Sequence, residues 1–371
     1  MTTALDRYRI SSRRRDRKAE SANIRLDLQG LRAAAILVVF THHLWGQPNG
    51  GFVGIDIFLV LSGYLVTAAL LRGGKHSKTM AVGHFFWGRV LRILPAAIVV
   101  LLLTYVAALL VFPQSRAEQV GVDALLAAVF AANWHFAFLG AAPFASPISA
   151  SPLQHFWALS VGEQFWLVWP VLILAAAMIA AALAWSQARR TALVAATAGV
   201  LVVASLAWSL YSTASTPDWA YFNTFARVWE LGVGALLATA AGLLARTPAS
   251  VNPLLSWAGV AAIGASVVLI GETTVGYPAP WALLPVAGAA LVIAAGVGGE
   301  PQFQPLLRNR VSTYLGDIAF ALFLVHWPVI VLLSAVMHSN IYFYASALCL
   351  SFGLALLLHH LVEKPMRHAS R

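Results

Sequence analysis

Charge is what this sequence has least of. Only 10% of its 371 residues are Asp, Glu, Lys or Arg, against about 25% in soluble domains. With 60% hydrophobic residues and a mean hydropathy of +0.77, no stretch is left over for a soluble domain of useful size. Cysteine is as scarce: Cys349 stands alone, so no intramolecular disulfide can form. There is no Cys/His spacing of a metal cluster, no phosphate loop and no Gly-x-Ser-x-Gly elbow. A serine-borne acyl group therefore has no support, and no metal ligand is assigned. The first thirty residues are basic and polar, without the short apolar core of a cleavable signal peptide. No internal repeat is visible, which disfavours transporter folds built from duplicated halves.

What is present is a set of apolar runs of about twenty residues, long enough to span a bilayer. Ten are expected, near 27–45, 51–71, 93–112, 164–184, 191–211, 225–245, 254–271, 281–299, 313–336 and 342–361. The fold expected is all-α and polytopic. The net charge of +10 suggests nucleic acid at first, but placement explains it otherwise. With the N-terminus in the cytosol, the arm with Arg13, Arg14, Arg15, Arg17 and Lys18 lies inside. So do Arg72, Lys75, Lys78, Arg89, Arg92, Arg189, Arg190, Arg246, Arg308, Arg310, Lys364, Arg367 and Arg371, while only Arg116 and Arg227 fall outside. That is the positive-inside pattern of an inner-membrane protein with both termini in the cytosol. Residues 1–25 read as a disordered basic arm, able to meet anionic lipid, 26–365 as the membrane domain and 366–371 as a tail. Residues 122–140 are apolar enough to span, but counting them would invert every later loop, so a re-entrant or interfacial helix on the outer side is expected. The Ala-, Ser- and Pro-rich stretch 141–155 then stays outside, like a lid or entry loop.

Ionisable residues inside such spans are costly and mark working sites. Arg32 and His43 are eleven residues apart. At about 100° per residue they share one helix face, about 16 Å apart along the axis. Asp56 lies at a depth similar to that of His43, and a carboxylate beside an imidazole makes a general base. His42 points about 100° away and reads as a neighbouring or interfacial histidine. Ser62-Gly63-Tyr64 reads equally as close helix packing or substrate contact. Arg89 and Arg92, at i and i+3 near the cytosolic start of the third span, suit a phosphate group. His155 and Glu163 are expected to line the outer mouth together. Arg227 and Glu230 have the spacing of a helical ion pair. Asp317 falls at the inner end of the ninth span and His326 in its middle to outer part, where Pro328 frees a nearby backbone carbonyl. His359, His360 and Glu363 are placed at a solvent edge.

Taken in order, the segments LDLQGLRA with Arg32-x10-His43, GGFVGIDIFLVLSGYL, RVLRILPA, SPLQHFWALSVGEQFWLVWP, RVWELGVGALL, LGDIAFALFLVHWP and Val362-EKP resemble the membrane acyltransferase family 3. The resemblance runs from about Arg25 to Pro365. It implies transfer of an acyl group, usually acetyl, from cytosolic acyl-coenzyme A to a hydroxyl of a glycan or glycolipid. It makes His43 the essential histidine and Arg32 its partner, and it links Arg89 and Arg92 with the acyl donor. His155, Glu163, His326, Arg227 and Glu230 are then supporting or acceptor-side residues. Acylation through a covalent acyl-histidine stays open beside direct attack. In one place the chain departs from the family's Ser-Val-Glu-Glu-Gln-Phe: Gly162 stands where the first glutamate is expected. The chain stops after the tenth span, where many relatives continue into a hydrolase-like domain, so a stand-alone form is expected. Three other readings remain: acylation of a small secondary metabolite such as a macrolide, an acyl relay to another enzyme, and a proton-coupled transporter using His43, Asp56 and His326.

Overall fold

The structure, a computed structural model, describes residues 25–72, 78–301 and 303–369; of these, the side chains of 78–82, 84 and 367–369 are left aside. The basic arm before Arg25, Lys75 and Arg371, to which the topology reading assigned places, lie outside the described residues, as do the side chains of Lys78 and Arg367. The described residues are helical, with no strand among them. The principal helices are α1 (Leu26–Trp45), α2 (Gly54–Arg72), α3 (Lys78–Val111), α4 (Gln114–Ala128), α5 (Ala132–Phe138) and α6 (Phe156–Ala182). They continue with α7 (Gln187–Ser215), α8 (Thr224–Thr239), α9 (Asn252–Leu269), α10 (Leu283–Ala295), α11 (Arg310–Val336) and α12 (Ile341–Leu358).

Each of the ten expected spans overlaps one of these helices. Among the described residues, seven helices are long and apolar enough to cross a membrane. Helices α1, α8 and α10 fall outside that set: α8 and α10 have only 16 and 13 residues, and α1 carries Asp27, Arg32 and two histidines. Leu102, Leu103, Val106 and Leu110 on α3, and Val200 and Val203 on α7, turn outward from the protein. Outward-facing leucine and valine on a long apolar helix suit lipid contact. The protein is therefore an all-helical, polytopic membrane protein.

The segment 122–140 differs in form from the single helix expected. It is split between the end of α4 and the whole of α5, at a turn where Phe130 has φ 56°. Helices of 15 and 7 residues rise only about 22 and 10 Å, so neither crosses the hydrocarbon layer.

Close helix crossings bring the functional segments together. A Cβ on Gly63 would overlap the backbone of Leu231, and one on Gly234 would overlap the backbone of Val60 and Tyr64. Glycine at both places lets α2 and α8 touch backbone to backbone, which is the packing reading of Ser62-Gly63-Tyr64. Helix α1 ends at Gly46 with φ 69°, a left-handed cap whose N–H donates to the His42 carbonyl at 2.7 Å. Its other end is pinned by Glu300, which accepts from the Leu26 N–H and pairs with Arg308 at 2.8 Å. Burial, reinforced by Asp27, pushes the Glu300 carboxyl above the usual carboxylate range, against the pull of Arg308. At the end of α12, His359 and Glu363 form a pair at 2.8 Å, 7% and 1% exposed. They are buried, not at the solvent edge where the sequence reading put them, and both lie in a π-turn over His359–Glu363.

Candidate active site

Two cavities meet inside the helical bundle. The first, of about 200 Å³, is rimmed by Arg32, Arg89, Arg92, Glu163 and Asp317 and is apolar deeper in. The second, of about 570 Å³, is lined by His42, His43, His155, Trp157, Tyr221 and Trp327, with the 143–148 segment over it. One stripe of α11 serves both. Gly316, Phe320 and Phe323 face the arginine cavity; Phe323, Trp327, Ile330 and Ser334 face the histidine cavity. Steps of three and four residues keep this stripe on one side of the helix. The eleven-residue spacing on α1 likewise delivers Arg32 to one cavity and His43 to the other.

His43 is half-buried and lines the second cavity. Its Nδ1 lies 3.0 Å from Nε2 of His326, and the two rings stack at 5.2 Å with 9° between their planes. His326 is fully buried behind it. Its Nδ1 sits 3.0 Å from the Leu322 carbonyl and 2.8 Å from that of Phe323. Carbonyls only accept, so the Nδ1 of His326 must carry the hydrogen. With both rings neutral, Nε2 of His326 is then an acceptor and Nδ1 of His43 donates to it. Nε2 of His43 is left as a lone pair, the form a general base needs. Sequence reasoning joined the two histidines only in the proton-relay alternative, with Asp56, and not in the acyltransferase reading: 283 residues separate them, and spacing within one helix carries no sign of such a contact.

Asp56, expected beside His43, is elsewhere. It pairs with Nη2 of Arg227 at 2.5 Å and accepts from the Tyr277 hydroxyl at 3.0 and 2.9 Å. The side chain faces Arg227 on α8 instead of His43 on α1. Arg227 also meets Glu230 at 3.1 Å, the ion pair read from their spacing. Asp56, Arg227 and Glu230 are all fully buried, with Trp157, Tyr221 and Tyr277 packed over the guanidinium. Tyr277 was not singled out from the sequence, since it lies in a loop without periodicity.

His155 and Glu163 do not share a mouth. Eight residues of helix separate them by about 12 Å, and they serve different cavities. His155 donates from Nε2 to the Leu324 carbonyl at 3.1 Å. Leu324 is four residues before Pro328, so this is the carbonyl that the proline leaves without its helical N–H. Glu163 instead forms a two-pronged pair with Arg89, at 2.8 Å to Nε and 2.5 Å to Nη2, above the Trp166 ring. The fork of Arg89 expected for phosphate is thus filled by a carboxylate. Arg32 donates to Gln29 at 3.1 Å, and Arg92 is exposed. Gly162 lines the arginine cavity, and a Cβ there would meet nothing within 4 Å.

His42 is 5% exposed, 3.0 Å from the Pro48 carbonyl through Nδ1 and 3.2 Å from Glu272 through Nε2. It is a buried, bonded neighbour of His43, whose ring lies 5.7 Å away. The loop over the histidine cavity is held from beneath. Asp123 accepts from the Ser151 hydroxyl at 2.5 Å and pairs with His135 at 2.8 Å. The Ser151 carbonyl accepts from the Trp327 indole at 2.8 Å, and that indole packs 4.6 Å from the His43 ring.

A polytopic helical protein with a bonded histidine pair at an aromatic-lined cavity, next to an arginine-rimmed one, has the parts of a membrane-embedded transferase. Comparison with known proteins gives the particular family: residues 25–360 match the acyltransferase domain family, and the chain belongs to it. It is similar to YrhL of Bacillus subtilis strain 168, a provisionally named peptidoglycan O-acetyltransferase, at 32% identity over 351 residues. That alignment covers 92% of this chain and 54% of the relative. The peptidoglycan O-acetyltransferase OatA of Listeria monocytogenes is 27% identical over 350 residues, 92% of this chain and 55% of its own. A provisionally named O-acetyltransferase of Staphylococcus aureus strain COL is 28% identical over 356 residues, 92% and 57% of the two chains. The chain spans about half the length of the curated relatives it matches. No solved structure matches it.

Proposed function

We propose that this chain moves an acyl group, acetyl first, from acyl-coenzyme A to a hydroxyl of a cell-envelope glycan. The names of its relatives make peptidoglycan the leading acceptor. The observation that carries the reading is the contact of His43 Nδ1 with His326, which leaves the Nε2 lone pair of a cavity-lining histidine unspent, while arginines rim the other cavity. In this reading the arginine cavity opens to the cytosol and the histidine cavity to the opposite side. Arg32 and Arg92 supply positive charge for the donor's phosphates, with Arg89 held in place by Glu163. The apolar depth of that cavity suits the thioester arm.

The step is a direct transfer. Nε2 of His43 takes the proton from the acceptor hydroxyl. The oxygen attacks the thioester carbonyl, a carbon–oxygen bond forms, the carbon–sulfur bond breaks, and coenzyme A leaves as the thiolate. His43 becomes an imidazolium, stabilised by donating from Nδ1 to His326. Aromatic rings around the histidine cavity, Trp157, Tyr221 and Trp327 among them, suit the apolar faces of sugars.

Mass spectrometry of peptidoglycan digests from cells with and without the protein tests this reading. Acetylated muropeptides are expected with the wild type and absent with His43→Ala, at equal protein in the membrane. Full acetylation by His43→Ala would overturn the mechanism.

A further inference from the structure

The two cavities are separated by very little. Ile55 on α2 and Phe323 on α11 belong to the walls of both. Ile55 is 4% exposed, and the Phe323 ring stands edge-on to His155 at 5.3 Å and 6.1 Å from the His326 ring. His155 itself is 4% exposed, and its Nδ1 has no hydrogen-bond partner among the described residues. With Nε2 committed to Leu324, that atom is an acceptor on the histidine-cavity side of Phe323, waiting for an N–H or O–H. An orphaned buried acceptor in the histidine cavity, against the Phe323 ring of the shared wall, marks a place that a polar ligand crosses or occupies.

The chemistry demands such a crossing. His43 lines only the histidine cavity, while Arg32 and Arg92 line only the arginine cavity. A thioester held by the arginines meets the base only if its acyl end passes between Ile55 and Phe323. We propose that Ile55 and Phe323 form an acyl-size filter, and that their bulk confines transfer to short acyl groups, with His155 Nδ1 receiving a donor hydrogen of the thioester arm as it passes. This proposal rests on the acyltransferase reading above. A hydrophobic site distinguishes substrates that differ by one methylene by about 10–200-fold, so removing one wall residue has a measurable effect on chain-length preference.

The experiment uses the full chain in lipid nanodiscs, with acetyl-, propionyl- and butyryl-coenzyme A as donors. A soluble peptidoglycan oligosaccharide is the acceptor probe, and the products are weighed by mass spectrometry. Phe323→Ala and Ile55→Ala are expected to raise the butyryl-to-acetyl ratio of kcat/KM by about tenfold or more. Phe323→Leu, a milder change that keeps the fold, gives a smaller rise in the same direction. Phe323→Trp lowers the ratio. An unchanged ratio in all of these variants, with His43→Ala inactive, overturns the filter and leaves the functional reading standing. A wild type that transfers from none of the donors, or an active His43→Ala, overturns the functional reading and the filter with it.

Discussion

Nδ1 of His43 and Nε2 of His326 lie 3.0 Å apart, and this contact leaves Nε2 as the nitrogen of His43 not spent on His326. The two carbonyls on Nδ1 of His326 fix its tautomer, and His326 fixes that of His43. His326→Ala leaves Nδ1 of His43 without a partner and frees the ring to turn. Transfer is expected to fall by about 10²–10⁴-fold, in the range of general acid–base contributions. His326→Gln, with an amide oxygen able to accept from Nδ1, restores part of it. Steady-state rates at equal protein check both; equal rates for Ala and Gln variants would count against tautomer control.

Arg227 tests a different kind of role. It is fully buried between Asp56 and Glu230, and the removal of one partner strands charge away from water. Arg227→Ala is expected to destabilise the fold by about 3–5 kcal/mol, read as a lower thermal midpoint in detergent. Asp56→Asn, which keeps a group able to accept from Tyr277 and Arg227, costs less. If Asp56 were instead the working partner of His43, Asp56→Asn would lose activity without loss of stability.

The pair Arg89–Glu163 calls for a double-mutant cycle. Each side chain spends its charged end on the other. Arg89→Ala and Glu163→Ala are each expected to raise the KM for the donor. The double variant is expected to cost less than the sum, with a coupling of about 1–3 kcal/mol. Strict additivity would mean that the two residues act apart.

Pro328 and His155 share one carbonyl. Pro328→Ala returns a backbone N–H to Leu324, in competition with the His155 Nε2–H. The variant is expected to hold or gain thermal stability while transfer falls about tenfold, a loss of roughly 1.4 kcal/mol of transition-state stabilisation. Parallel changes in stability and rate would assign Pro328 to packing alone.

Much of this protein was legible before any coordinates. Scarce charge and twenty-residue apolar runs can only be satisfied by membrane helices, since hydrocarbon leaves the backbone no other partners. The periodicity of α1 set Arg32 and His43 on one face, and each does line a cavity. The Arg227–Glu230 pair followed from helical spacing, and Pro328 announced a free carbonyl. All of these are properties of one helix at a time.

Partnership between helices was decided by the tertiary structure alone. Depth placed Asp56 level with His43, but rotation about α2 turned it to Arg227. Glu163 went to Arg89 instead of the outer mouth, and His155 took the carbonyl that Pro328 released. The partner of His43 came from α11, nearly three hundred residues away, because α1 and α11 cross closely where Gly316 meets the backbone of Gln29. A sequence states what each helix face carries. Which face meets which depends on crossing angles and close approaches that are settled only when all the helices pack together.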